Sequence, residues 1–140
     1  MELFFAGAIR GGRSDVDLYA RFVDALDRYG DVLTEHVGTE DVEERERAAG
    51  LTDRDIHDQD VAWLRRADVV VAEVTTPSLG VGYEVGRAVE WGTPVCCLYR
   101  PGGDHELSAM LRGNPAVEVV EYDDPAAAEA AVETFVERHR

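Results

Sequence analysis

The run Val69-Val70-Val71-Ala72-Glu73-Val74 is apolar at all but one of its positions and shows no polar alternation. A segment this short and this uniformly apolar reads as a β-strand covered on both faces, the environment of a parallel sheet packed between helices. Runs of the same kind recur at Leu3 to Ala6, Val32 to Leu33, Val95 to Leu98 and Val117 to Val120. Helical patterns lie between them: Leu18, Phe22, Val23 and Leu26 after Asp15; Ile56, Trp63 and Leu64 after Thr52; Val85, Ala88 and Val89 after Gly82; and Ala127, Ala131, Val132, Phe135 and Val136 after Pro125. This alternation predicts a five-stranded, doubly wound parallel sheet flanked by helices and joined by right-handed crossovers. The 140 residues fit one such domain, spanning 1–140. Ligands of such sheets bind beyond the carboxyl ends of the strands where the strand order reverses, and the loops at 7–13 and 75–82 are expected at that edge.

Charge narrows the partners. Acidic residues number 29 against 14 basic ones, all arginine, for a formal charge of −15. Such a field repels polymeric nucleic acid, whose nonspecific binding needs a basic footprint. No apolar run approaches the roughly 20 residues that cross a bilayer, and Met1-Glu2 lead directly into a strand-like segment, so a cytoplasmic location away from membranes is expected. The adjacent Cys96 and Cys97 should point to opposite faces of a strand as buried small hydrophobes, forming neither a disulfide nor a metal site. The histidines show no metal-ligand spacing, and no metal or cofactor is expected. The charged stretch from Gly38 to Gly50 reads as a solvated connection, a mobile loop or frayed helix with the reach of a lid.

Three places carry candidate chemistry. Residues 75–86, Thr-Thr-Pro-Ser-Leu-Gly-Val-Gly-Tyr-Glu-Val-Gly, run from the third strand through a glycine-rich turn into a helix. The first amides of a helix lack internal partners and sit at the positive end of its dipole, so Ser78, Gly80 and Gly82 offer an anion cradle. Glu84, expected near the helix start and held ionised by the same field, is a candidate nucleophile for a small anionic substrate. The first loop, Gly7-Ala8-Ile9-Arg10-Gly11-Gly12-Arg13, combines glycines that permit close backbone approach with arginine forks that match phosphate oxygens. Asp60 shares a helix face with Ile56, Trp63 and Leu64, where desolvation raises a carboxyl's pKa and suits it to proton transfer, although a structural carboxylate fits the same pattern. His36 follows the second strand and lies toward the same edge. Trp63 and Trp91 read as core or interface residues.

Taken together, Gly7 to Arg13, Thr34-Glu35-His36-Val37, Ile56-His57-Asp58-Gln59-Asp60, Ala67 to Val74, Pro77 to Glu84 and Leu107-Ser108-Ala109-Met110 resemble the 2′-deoxynucleoside 5′-phosphate N-hydrolases of the nucleoside 2-deoxyribosyltransferase superfamily. The resemblance runs in the same order over residues 3 to 122. It implies a flavodoxin- or Rossmann-like fold and a nucleoside 5′-monophosphate substrate. It also implies that Glu84 attacks the anomeric carbon to form a glycosyl-enzyme, while Asp60 transfers a proton or orients the nucleophile; water then releases the sugar 5-phosphate. By the same mapping Gly7, Ile9, Arg10, Gly11, Ser78 and Gly80 bind phosphate, His36 lies near the base, and Ser108 reaches the neighbouring subunit's site in a homodimer. Ser78 stands where transferases acting on unphosphorylated nucleosides carry an aspartate, which favours a phosphorylated substrate. Phe4 replaces the family's tyrosine beside the nucleophile, as in related ribonucleotide hydrolases, and leaves both ribose and deoxyribose open. Ala8 replaces a serine of the phosphate loop. Base exchange between nucleotides and noncatalytic nucleotide sensing are the competing readings.

Overall fold

A computed structural model describes residues 1–9, 15–38 and 41–140. Five parallel strands, β1 (Glu2–Ala6), β2 (Asp31–Val32), β3 (Val69–Glu73), β4 (Val95–Tyr99) and β5 (Val117–Glu121), form one sheet in the order β2-β1-β3-β4-β5. The helices are α1 (Val16–Asp27), α2 (Val42–Ala48), α3 (Asp53–Arg66), α4 (Leu79–Glu90), α5 (Ala109–Arg112) and α6 (Pro125–Arg138). The architecture is the doubly wound α/β fold expected from the apolar runs.

Because side chains alternate along a strand, each central strand feeds two cores. Leu3, Phe5, Val69, Val71, Cys96 and Leu98 face one way and pack with Tyr19, Phe22 and Leu26 of α1 and Val132, Phe135 and Val136 of α6. Phe4, Ala6, Val70, Ala72, Val95 and Cys97 face the other way and meet Leu64 of α3 and Val81, Val85 and Ala88 of α4. The two cysteines thus occupy opposite faces, and burial pushes both thiols up to about 12, which leaves them inert. No helix of the described residues is long and apolar enough to cross a membrane.

Polar groups finish the strand ends. The short edge strand β2 is extended by Thr34, whose buried hydroxyl accepts from the Phe5 N–H at 2.8 Å and donates to the Phe5 carbonyl at 2.7 Å. β3 ends in the fully buried Glu73, which accepts the Thr75 N–H at 2.6 Å, the Tyr122 hydroxyl and the Arg100 guanidinium at 3.4 Å. Arg100 also forks onto both oxygens of Asp15 at 3.0 Å. Burial holds the Glu73 carboxyl above its usual range against the pull of these donors. The cluster ties the ends of three strands to the start of α1.

Of the forms expected for the stretch from Gly38 to Gly50, its described residues from Asp41 onward take the helical one, as α2: Val42 is buried, and the pairs Asp41–Arg45 and Glu43–Arg47 sit four residues apart. The expected start of α4 is corrected. Helix α4 begins at Leu79 rather than after Gly82, because the Ser78 hydroxyl caps it by accepting the Val81 N–H at 3.3 Å. Gly80 and Gly82 are therefore helical, and Glu84 lies in the second turn.

Candidate active site

In the observed strand order the chain leaves β1 toward β2 on one side and β3 on the other, so a crevice opens beyond the carboxyl ends of β1 and β3. A cavity of about 600 Å³ occupies it, walled by α3, α4 and the start of the loop after β1. Glu84, Asp60, Ser78, Gly80, Gly7 and Ile9 all line this cavity. Gly7 admits no side chain, since a Cβ there would lie 2.9 Å from the ring of the fully buried Tyr19. Arg10 and Gly11 lie outside the described residues.

The two carboxyls come from different helices. Asp60 is presented by α3 on the face that also carries Ile56 and Leu64, and Glu84 by α4 between Val81 and Val85, both anchored in the core. Burial pushes the Glu84 carboxyl up to about 8, with the nearby Asp60 charge adding to it. Burial pushes Asp60 to about 6, Glu46 raising it further and His57 opposing. The expectation that the helix dipole keeps Glu84 ionised is therefore corrected: Glu84 lies beyond the first turn, where that field has faded, and desolvation dominates. Two interacting carboxyls of this kind titrate as a pair and hold one proton across the neutral range.

At the other end of the cavity Ser78 and the first turn of α4 face the opening. The Val81 N–H is taken by the Ser78 hydroxyl, while helix geometry leaves the Leu79 and Gly80 amides without intrahelical acceptors. An anion is favoured there. One cleft thus combines two desolvated carboxyls, each raised above its ordinary range, with a positive helix end.

The remaining predicted residues lie apart from the cavity wall. His36, in the 3-10 turn Glu35–Gly38, rests against Trp63 with ring centres 5.4 Å apart and lines a side recess of about 280 Å³. That recess shares Asp60, Ile56 and Glu46 with the main cavity. Phe4 is buried in the core beneath the site, beside Leu64 and Val85, and does not line the cavity. Ser108 caps α5 by accepting the Met110 N–H at 3.2 Å and faces solvent away from the cavity of its own chain. Sequence reasoning missed His57, Tyr83 and Glu46, which also line the cavity. The signal for His57 was its place one helical turn before Asp60. Among the described residues no cluster of three His, Cys, Asp or Glu side chains is arranged to hold a metal ion.

The sequence profile of the nucleoside 2-deoxyribosyltransferase family matches residues 3–135. The chain is 53% identical over 141 residues to a mouse 5-hydroxymethyl-dUMP N-hydrolase, covering 99% of this chain and 79% of the mouse protein. It is 49% identical over 140 residues to a human 5-hydroxymethyl-dUMP N-hydrolase, covering 98% of this chain and 78% of the human protein. Among solved structures, the Clostridium botulinum CMP N-glycosidase BcmB shares the fold with a TM-score of 0.71 at 15% identity, over 96% of this chain and 99% of that chain. Profile and identity agree along nearly the whole length, and the chain belongs to the nucleoside 2-deoxyribosyltransferase family.

Proposed function

We propose that this protein hydrolyses the N-glycosidic bond of nucleoside 5′-monophosphates, with deoxynucleotides as the preferred class, releasing a free base and a sugar 5-phosphate. The observation that carries the reading is the convergence of Glu84 and Asp60 on one cavity whose far end is the amino terminus of α4. The names of the relatives, N-hydrolases of deoxynucleoside monophosphates, support the same chemistry.

In this reading the phosphate lies over the Leu79 and Gly80 amides and the Ser78 hydroxyl, with Gly7 and Ile9 beside it. The sugar then lies along α4 with its anomeric carbon toward Glu84. As positive charge builds at C1′, it draws the ionised form to Glu84 and leaves the shared proton on Asp60. A Glu84 oxygen bonds to C1′, the C1′–N bond breaks, and its electron pair leaves with the base, which takes the Asp60 proton. Water then bonds to C1′, gives its proton to Asp60, and the ester bond to Glu84 breaks. Both carboxyls return to their starting state.

The recess holding His36 and Trp63 opens beside Asp60 and suits the base. A 5-substituted pyrimidine, the kind of base in 5-hydroxymethyl-dUMP, fits a role in cleansing the nucleotide pool or in salvage. We also propose a homodimer in which Ser108 completes the partner's site. Leu79 is 97% exposed and Met110 82% exposed, apolar surface that a second copy would cover.

Incubation with a panel of ribo- and deoxyribonucleoside monophosphates, read by liquid chromatography, tests the assignment. Release of base from deoxynucleotides, with no swapped nucleotide when a second base is in excess, is expected. Binding of monophosphates with no base released over hours would instead favour a sensor. The pH profile follows from the acid pair. Below about 6 both carboxyls are protonated and no nucleophile remains; above about 8 both are ionised and no acid remains. A bell-shaped kcat/KM between those limits is expected.

A further inference from the structure

Helix α3 is anchored unevenly. Its one fully buried side chain, Leu64, lies a turn beyond Asp60, so the half that presents Asp60 is not held by core packing. Among the described residues, two devices help to hold that half. One is the capping box at its start, where Thr52 and Asp55 exchange hydrogen bonds at 2.9 and 3.1 Å. The other is His57, whose Nε2 lies 2.9 Å from the Tyr83 hydroxyl of α4. This hydrogen bond joins α3 directly to α4.

Arg87 can only donate, and its guanidinium donates to the Tyr83 oxygen from one turn along α4. Asp58 as a carboxylate only accepts, so the proton on His57 Nδ1 goes to its Oδ1 at 3.0 Å. In the neutral tautomer that this leaves, Nε2 accepts the Tyr83 proton. The chain is backed by stacking: Arg87 lies over Tyr83 at 5.4 Å and over Trp91 at 4.7 Å, and Arg65 of α3 covers Trp91 at 4.5 Å. The titratable and charged groups around His57 are Asp53, Arg54, Asp58 and Asp60 on its own helix, Arg87 and Glu84 on α4, and Glu46 on α2 across the cavity. His57 and Tyr83 both line the cavity, one turn before Asp60 and one residue before Glu84.

We infer that Tyr83 and His57 are positioning residues of the proposed hydrolysis: their hydrogen bond clasps α3 to α4 at the mouth of the cleft and fixes the spacing of Asp60 and Glu84. The inference rests on the hydrolase reading for its catalytic consequence and on the two helices for its geometry. Loss of the clasp lets the half of α3 that carries Asp60 drift. Coupling between the carboxyls then weakens, and proton delivery to the leaving base suffers more than nucleotide binding.

The test is Tyr83→Phe, which removes the hydroxyl and keeps the ring, assayed beside the wild type with 5-hydroxymethyl-dUMP. Expected are a kcat lower by roughly tenfold, the size of a modest loss of proton transfer, and a KM within about twofold. The alkaline limb of the pH profile should move down by about half a pH unit as coupling falls. His57→Gln, whose side-chain carbonyl can still accept the Tyr83 proton, should retain most of the activity, while His57→Leu should behave as Tyr83→Phe does. Amide hydrogen exchange of the wild type and Tyr83→Phe supplies a readout independent of turnover: residues 55–61 should exchange faster in the variant, and the second half of α4 should not. An unchanged pH profile and unchanged exchange in Tyr83→Phe overturn the inference, as does an equal loss in both His57 variants. If the wild type releases no base, the hydrolase reading fails, and the clasp itself still stands or falls on the exchange result.

Discussion

Glu84→Gln should lose base release by at least about 10⁴-fold, the scale of deleting a nucleophile, and should at the same time be more stable than the wild type at alkaline pH. The second effect follows from the electrostatics of the carboxyl. Folding raises Glu84 from its ordinary 4.5 to about 8. A carboxyl raised in this way binds more protons in the folded state than in the unfolded one. Its contribution to stability is therefore fully present below about pH 4.5 and is lost as the pH rises through about 8. Glutamine is neutral at every pH and escapes the loss. A tenfold change in proton affinity is worth about 1.4 kcal/mol, and with the side chain still partly open to solvent a gain of about 2 kcal/mol at pH 8.5 is expected. Thermal melts at pH 8.5 and 4.5 check it: the melting temperature of Glu84→Gln should exceed that of the wild type by several degrees at the higher pH only. Equal melting temperatures at both would mean that Glu84 is not desolvated.

Ser78→Asp should separate fold from phosphate recognition. Aspartate caps a helix as well as serine does, so α4 should form unchanged. Its charge, however, would lie about 5 Å from a phosphate seated on the Leu79 and Gly80 amides. At an effective dielectric constant of about 20 that repulsion is about 3 kcal/mol, or roughly a hundredfold in kcat/KM. The loss should fall on monophosphates alone, with the corresponding unphosphorylated nucleosides unaffected or improved. Parallel loss on both would remove Ser78 from phosphate recognition and leave it a helix cap.

Much of the fold was legible because its strands are apolar on both faces: the runs at Leu3, Val69, Val95 and Val117 fall within or beside the four longer strands. The face of α3 that presents Asp60 was equally readable, since Ile56 and Leu64 flank it at helical spacing. The start of α4 was not. Gly80 and Gly82 are poor helix formers and mask a boundary set by the Ser78 cap, which moved Glu84 one turn inward. That displacement, together with burial invisible in a linear chain, reversed the expected protonation of Glu84.

Helix α2 was obscured because Val42 is its only buried residue and paired charges supply much of the rest. The contacts between distant elements were beyond reach for a different reason. Glu73 with Tyr122 and Arg100, and His57 with Tyr83, join residues whose proximity depends on how strands and helices pack, and no local pattern encodes that. The site was legible in its parts, and its coupling became visible only in three dimensions.

Central to the account is a covalent bond between Glu84 and C1′, and the stereochemistry of trapping reads it without requiring the intermediate to accumulate. Turnover of 5-hydroxymethyl-dUMP in the presence of methanol diverts part of the sugar phosphate to a methyl glycoside whose anomeric configuration is stable and visible by proton NMR. Two successive displacements predict the β-methyl glycoside, the configuration of the substrate. The α anomer as the main product would mean a single displacement by solvent, and would contradict Glu84 as the nucleophile.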